Sequence, residues 1–226
     1  IRRAITNPEG SGVADLFESW APIVRPQEMM FTPDHLRLYR KHGISAVSLY
    51  YSALPFNAFS TFVPPLSLRE RYNPLTLGCS AIDDTLTLLP CYNIGDVADH
   101  ISLRRWLVRM RREQLETAGR AADDLLLLID MDADDEFWVS MGGPILARFI
   151  STARGLAGLV ESVAQFPWLR FTTPGEYLRD HPPVGTITLG QDTGDGSFDG
   201  ISSWAEKHSS VELWTLLEQS RLYEMH

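Results

Sequence analysis

Cysteine is scarce in this chain, and lysine scarcer for its size. Cys79 and Cys91 stand twelve positions apart with no cluster of His or further Cys beside them. That spacing excludes a disulfide framework and the usual zinc pattern, and makes a reducing, cytoplasmic setting the expectation. Lys41 and Lys207 are the only lysines among 20 basic residues, which face 29 Asp and Glu for a net charge of -9 at pH 7. That net charge argues against a nucleic-acid phosphate backbone as partner, because binding one needs clustered positive charge, and a neutral or polar ligand suits the chain better. Long apolar runs are missing as well. The longest, residues 125–129, is far too short for a bilayer, and the first residues carry no signal-peptide pattern, so no membrane association is expected. Gly194-Asp195-Gly196 has neither a preceding strand nor a Lys and reads as a turn rather than a phosphate loop. No cofactor and no metal site are expected.

What is present is enough apolar material for a core: 44% hydrophobic residues in a chain of 226, with six Trp, seven Tyr and ten Phe. The expectation is a single α/β domain over residues 1–226, with 52–79, rich in Pro and aromatics, as a loop or small insertion within it. An apolar stretch over 14–24 reads as a strand that ends in Arg25-Pro26-Gln27-Glu28, where Pro26 blocks simple continuation. Thr32 and Pro33 are a cap and a first helical residue, and Gly43 is a stop, so a helix is expected between them. Ile44 to Tyr50 reads as a strand buried on both faces. Further strands are expected over 86–92, over 124–132 as the clearest buried one, and over 169–172. Helices are expected over 97–120, 144–163 and 209–223 and from Pro174 onward, with 185–200 as a Gly-rich loop.

Two acidic sites each follow an apolar run. Glu28 is one, and the other is Asp130-Met131-Asp132-Ala133-Asp134-Asp135-Glu136-Phe137-Trp138. Separate carboxylates at strand ends are what acid/base glycoside chemistry requires, and active sites of parallel α/β folds gather there. The second cluster reads equally well as a solvated acidic loop. Trp138 and Trp204 are either sugar-stacking surfaces or core residues. His100 is either a hydrogen-bonding partner for a substrate hydroxyl or structural, and Arg25 either keeps Glu28 ionised or pairs with a surface acid.

Several segments, in order, resemble glycoside hydrolase family 57. Pro26-Gln27-Glu28-Met29-Met30-Phe31-Thr32-Pro33-Asp34 with Gly43-Ile44 is similar to the family's segment around its nucleophile. Ala98-Asp99-His100-Ile101-Ser102-Leu103, residues 126–136, Thr172-Thr173-Pro174-Gly175-Glu176-Tyr177-Leu178 and Gly196-Ser197-Phe198-Asp199-Gly200 with Trp204 continue the likeness. Phe198 stands where that family usually has Trp. The resemblance implies a (β/α)7-type barrel, here without N-terminal strands ahead of Trp20, to be completed by another chain or segment. It implies a retaining enzyme acting on α-linked glucans or related α-glycosides, with an oligo- or polysaccharide as substrate. Glu28 would be the nucleophile and Asp132 the acid/base, with Asp130 second and Asp134 competing. Trp20, Arg25, His100, Asp134, Trp138, Asp199 and Trp204 complete the expected substrate-lining set. Two other readings stay open: a metal-dependent carbohydrate deacetylase or hydrolase holding a hard cation on Asp130, Asp132 and Asp134, and a non-catalytic sugar-binding subunit.

Overall fold

The computed structural model describes residues 1–51, 66–79, 82–93, 100–118, 123–130, 155–189, 216 and 219–220. The chain divides into two compact units, one of Ile1–Pro65, Pro74–Pro90 and Pro183–His226, the other of Leu66–Asn73 and Cys91–Pro182.

The first unit opens with two single-turn helices, α1 (Arg2–Ile5) and α2 (Val13–Leu16). Asp15 ties them together: its carboxylate accepts from the Thr6 hydroxyl at 2.7 Å and from the amides of Asn7 and Gly12 at 3.0 Å. The Thr6 hydroxyl, then the amides, hold that carboxyl below its ordinary range. A side chain on Gly12 would put its Cβ 2.5 Å from the Ile5 carbonyl oxygen, so the close approach requires glycine. This local bonding takes residues 13–16 out of the strand expected over 14–24, and only β1 (Ile23–Val24) is extended and paired.

The helix expected after Thr32 is α3 (Pro33–Lys41), with Pro33 in its first turn and Gly43 at φ 75° closing its C-terminal end. Leu36 and Tyr39 form its inner side. It leads into β2 (Ala46–Tyr50), whose five residues are all buried, as the apolar run predicts. β1 and β2 run parallel, with Ile23 beside Ala46 and Val24 beside Val47.

A short helix in the second unit, α4 (Leu68–Arg71), is followed by β3 (Leu75–Cys79), so the described end of the 52–79 segment carries regular structure. β3 pairs antiparallel with β4 (Ile82–Asn93), the long strand that contains the expected 86–92. Among later residues of the first unit, the loop expected over 185–200 contains a strand, which is β6 once β5 (Ile129–Asp130) of the second unit is counted. β6 (Thr186–Leu189) pairs parallel with β3 and alternates exposed Thr with buried Ile187 and Leu189. Period-two burial of Ile and Leu against a neighbouring strand outweighs the surrounding Gly-rich composition. The strand order is β1-β2-β4-β3-β6, with β5 beside the end of β4. The class is α/β, and three of the pairings, β1–β2, β3–β6 and β4–β5, are parallel. Among the described strands the sheet ends at β1 and β6 and does not close into the expected ring. Its core is the fully buried set that includes Val47, Leu49, Leu75, Leu77, Leu88 and Leu189.

In the second unit the main helix is α5 (His100–Ala118), with Leu103, Leu107 and Met110 buried at the spacing expected of its inner face. α6 (Gly155–Ala164) packs Val163 against Leu103 and Leu107, and Trp106, Leu127, Ile129, Phe166 and Leu169 surround them. Residues 144–154 of the helix expected there lie outside the described residues, as does most of the helix expected over 209–223. The run expected as the clearest buried strand is laddered only at Ile129–Asp130, and residues 125–130 are half-buried. It is fastened at separate points instead, through the Leu126 amide to Tyr72 O and the Leu128 carbonyl to Tyr92 N. Residues 169–172, expected as a strand, join no strand ladder among the described residues.

Helix α7 (Pro174–Asp180) opens on a reciprocal cap. The Glu176 amide donates to Thr173 Oγ1 at 3.2 Å, and the Glu176 carboxylate accepts from the Thr173 amide at 3.0 Å. Those bonds, the Thr173 amide first, hold the Glu176 carboxyl below its ordinary range. A depressed carboxyl gives stabilisation that is complete above its unfolded value, about 4.3, and is lost as pH falls through the lower folded value. The α7 amide shifts in NMR should therefore move together below about pH 4, and Glu176→Gln, which keeps a side-chain acceptor, should abolish that pH dependence.

The buried Tyr177 hydroxyl donates to Asn73 Oδ1 at 2.8 Å, with the Asp124 carbonyl at 3.1 Å. Asn73 Nδ2 donates to the carbonyls of Arg69 and Asp124, and the His181 ring stacks on Tyr177 with centroids 3.8 Å apart. Burial raises the phenol's pKa, so it remains a donor throughout the ordinary pH range. Tyr177→Phe leaves Asn73 Oδ1, on a side chain 3% exposed, without this donor. The expected loss is about 1–3 kcal/mol of stability by urea titration, with little change in m.

No helix among the described residues is long and apolar enough to cross a membrane.

Candidate active site

The first unit's site is built on the chain that leaves β1. Exposed Arg25 is followed by buried Pro26, and a single 3-10 turn, Gln27–Met29, places Glu28 at its centre. The turn is closed by the Met29 amide on the Pro26 carbonyl and the Met30 amide on the Gln27 carbonyl, each at 3.0 Å. Met29 has φ 52°, the left-handed conformation that side-chain-bearing residues avoid. Such a residue costs about 1–3 kcal/mol. Complete burial of the Met29 side chain recovers about 1.5–3 kcal/mol, which is how the turn is held.

Phe31, fully buried, fixes the exit from the turn. It meets the His35 ring edge-on at 5.7 Å and the Tyr39 ring at 6.1 Å, while His35 and Tyr39 stack at 5.5 Å. The Thr32 amide donates to His35 Nδ1 at 3.1 Å, so Nδ1 is the acceptor and the neutral ring carries its proton on Nε2. His35 is half-buried and fastens the start of α3 behind the turn. The backbone of Glu28 thus lies between buried Pro26 and buried Met29, just past the C-terminal end of a parallel strand pair. A carboxylate carried there sits on a short segment fixed from both sides, which is what a nucleophile or general base needs from its scaffold.

Trp20, 38% exposed, and Arg25 share this segment with Glu28 in the first unit. Asp130 and His100 belong to the second unit. Asp130 is half-buried in β5, in register with Asn93, and His100 is the first residue of α5. β5 is supported by an aromatic group: Tyr72 and Tyr92 stack at 5.3 Å, Trp106 stands edge-on to Tyr92 at 5.0 Å, and its indole N–H donates to the Tyr72 hydroxyl at 2.7 Å. Burial, the largest influence, pushes the Tyr72 phenol up. Asp132, Asp134, Trp138, Asp199 and Trp204 lie outside the described residues. Among the described residues no group of three His, Cys, Asp or Glu is placed to hold a metal ion.

Sequence reasoning singled out Glu28 but not what fixes it. The left-handed Met29 has no compositional signal, since Gly or Asn is the usual occupant of that conformation. His35 was readable in principle as the third helical residue after the Thr32 cap, the position of a capping-box partner.

No protein-family model matches this chain, and no curated protein matches it in sequence. Among solved structures it is similar to the crystal structure of 4-alpha-glucanotransferase from Thermococcus litoralis, with a TM-score of 0.58 and 16% identity over 100% of this chain and 34% of that one. The likeness is one of fold, and the chain spans about a third of the length of that protein.

Proposed function

We propose that this chain carries the nucleophile of a glycan-active enzyme, a retaining glycoside hydrolase or glucanotransferase acting on α-linked glucans or related α-glycosides. The reading is carried by Glu28, on a strained turn pinned by buried Pro26 and Met29 at the end of a parallel strand pair. The whole-chain likeness in fold to a 4-alpha-glucanotransferase supports it. In this reading the open sheet is part of a (β/α)7 barrel that another segment or chain completes.

A Glu28 oxygen attacks the anomeric carbon while the bond to the glycosidic oxygen breaks, and protonated Asp132 gives that oxygen its proton. Asp132, now a carboxylate, takes a proton from water or an acceptor sugar hydroxyl, whose oxygen attacks the same carbon and releases Glu28. Two inversions give net retention. The two carboxyl groups must stand roughly 5–5.5 Å apart. Asp130, two residues earlier in the chain and half-buried in β5, is the second candidate for the acid/base role.

The test is the configuration of the first product, followed by NMR as native protein and Glu28→Gln act on α-glucans and aryl α-glycosides. The expected result is an α-configured product from the native chain and at least a roughly thousandfold loss of rate in the variant. A β-configured first product, or a Glu28→Gln chain that keeps its rate, would sink the assignment. Absence of turnover with retained sugar affinity would leave a binding subunit.

A further inference from the structure

Helix α5 carries five arginines, Arg104, Arg105, Arg109, Arg111 and Arg112, and two glutamates, in a chain whose net charge is -9. They are used unequally. Arg104 reaches the Ser162 carbonyl at 2.7 Å and lies over the Phe166 ring at 5.0 Å, which joins α5 to α6 and the residues after it. Arg111 bonds Gln114, and Arg112 approaches Glu116 at 3.9 Å with both side chains well exposed. Arg105 and Arg109 have no carboxylate within ion-pair distance among the described residues.

Positions 105, 109 and 112 fall on one face, and the stripe from 105 to 112 is about 10 Å long at 1.5 Å per residue. Like charges at that spacing destabilise a helix by about 0.2–0.5 kcal/mol per pair, and Glu113, one turn on from Arg109, stands 3.9 Å from Arg71 instead. Between them sits Val108, 51% exposed, and the stripe lines a shallow hollow of about 410 Å³ bordered by Phe166.

We propose that this face of α5 is a docking surface for an acidic polypeptide, a partner segment presenting carboxylates at helical spacing around one apolar side chain. Guanidinium groups match carboxylates as planar forks, and arginine and aromatic residues with little lysine are the composition of protein interfaces. The stripe is too short to follow a nucleic-acid backbone, and the remaining negative charge of the chain would repel a long polyanion beyond it. A protein segment of mixed charge meets the stripe locally and covers Val108 with apolar contact.

The test uses the full chain and a fluorescein-labelled helical peptide with Glu at i, i+4 and i+7 and Leu at i+3, its Gln counterpart, and a single-stranded oligodeoxynucleotide, all followed by anisotropy. Native protein should bind the Glu peptide saturably, and the Gln peptide at least about tenfold more weakly. The Arg105→Gln/Arg109→Gln chain should lose at least about tenfold in affinity for the Glu peptide while melting no earlier than native, because a repulsive pair has gone. No saturable peptide binding, equal binding by the double variant, or tighter binding of the oligonucleotide than of the peptide would each overturn the proposal.

Discussion

A chain with Glu28 replaced by Gly should be inactive on an aryl α-glycoside until azide is added, and should then release a β-glycosyl azide. Removing the side chain leaves room for a small anion on the face from which the carboxylate would attack. The azide nitrogen bonds to the anomeric carbon as the bond to the aryl oxygen breaks, so configuration inverts once. With no carboxylate to perform a second displacement, the azide product persists. Without azide the expected loss is at least about a thousandfold relative to native protein. Proton NMR of the product decides the matter, since an α-configured azide, or no rescue while native protein is active, assigns the nucleophile elsewhere.

Phe31→Ala should destabilise the first unit by about 3–5 kcal/mol, the usual cost of emptying a fully buried aromatic site. At about 2–4 °C per kcal/mol for a chain of this size, the melting midpoint falls by roughly 6–20 °C. The upper part of the range is expected because Phe31 also supports the His35 and Tyr39 rings and, through them, the start of α3. Phe31→Leu, closer in volume, should cost about 1.5 kcal/mol or less. Calorimetry with denaturant titration gives both values. A loss below about 1 kcal/mol for the Ala variant would mean that the cavity collapses, and that the turn carrying Glu28 does not depend on Phe31.

Where local chemistry decided the outcome, the sequence was readable. Thr32, Pro33 and Gly43 mark α3 by capping and backbone preference, and β2 follows from an unbroken apolar run. Thr173, Pro174 and Glu176 mark α7 in the same way. Where tertiary partners decided, the reading strayed. Residues 13–16 are apolar enough for a strand, but Asp15 and Gly12 close a turn with residues 5–7 that no periodicity announces. The Leu-rich run at 125–129 reads as the clearest buried strand, yet it is half-buried and fastened through Tyr72 and Tyr92. β6 was lost in a Gly-rich stretch although Thr-Ile-Thr-Leu alternates correctly, because four residues are too few to outweigh composition without knowledge of β3 beside them. The position of Glu28 in a turn just after a strand was legible from the strand-then-loop pattern. The fixing of its backbone by buried Met29 in a left-handed conformation was not, since nothing local favours it.

The pairing of β3 with β6 sets Thr76 beside Thr186, roughly 110 positions away, and nearly all of the second unit is encoded between them. During synthesis, therefore, β3 and β4 emerge and can form their hairpin long before β6 exists to flank them. The residues of the second unit, Leu66–Asn73 and Cys91–Pro182, all precede β6, so it can form in that interval. Once it has done so, closing β3 onto β6 bridges a compact body rather than a long loose loop, and the entropy lost at closure is smaller. A substitution in the second unit can thus slow completion of the first unit's sheet without touching any residue of that sheet.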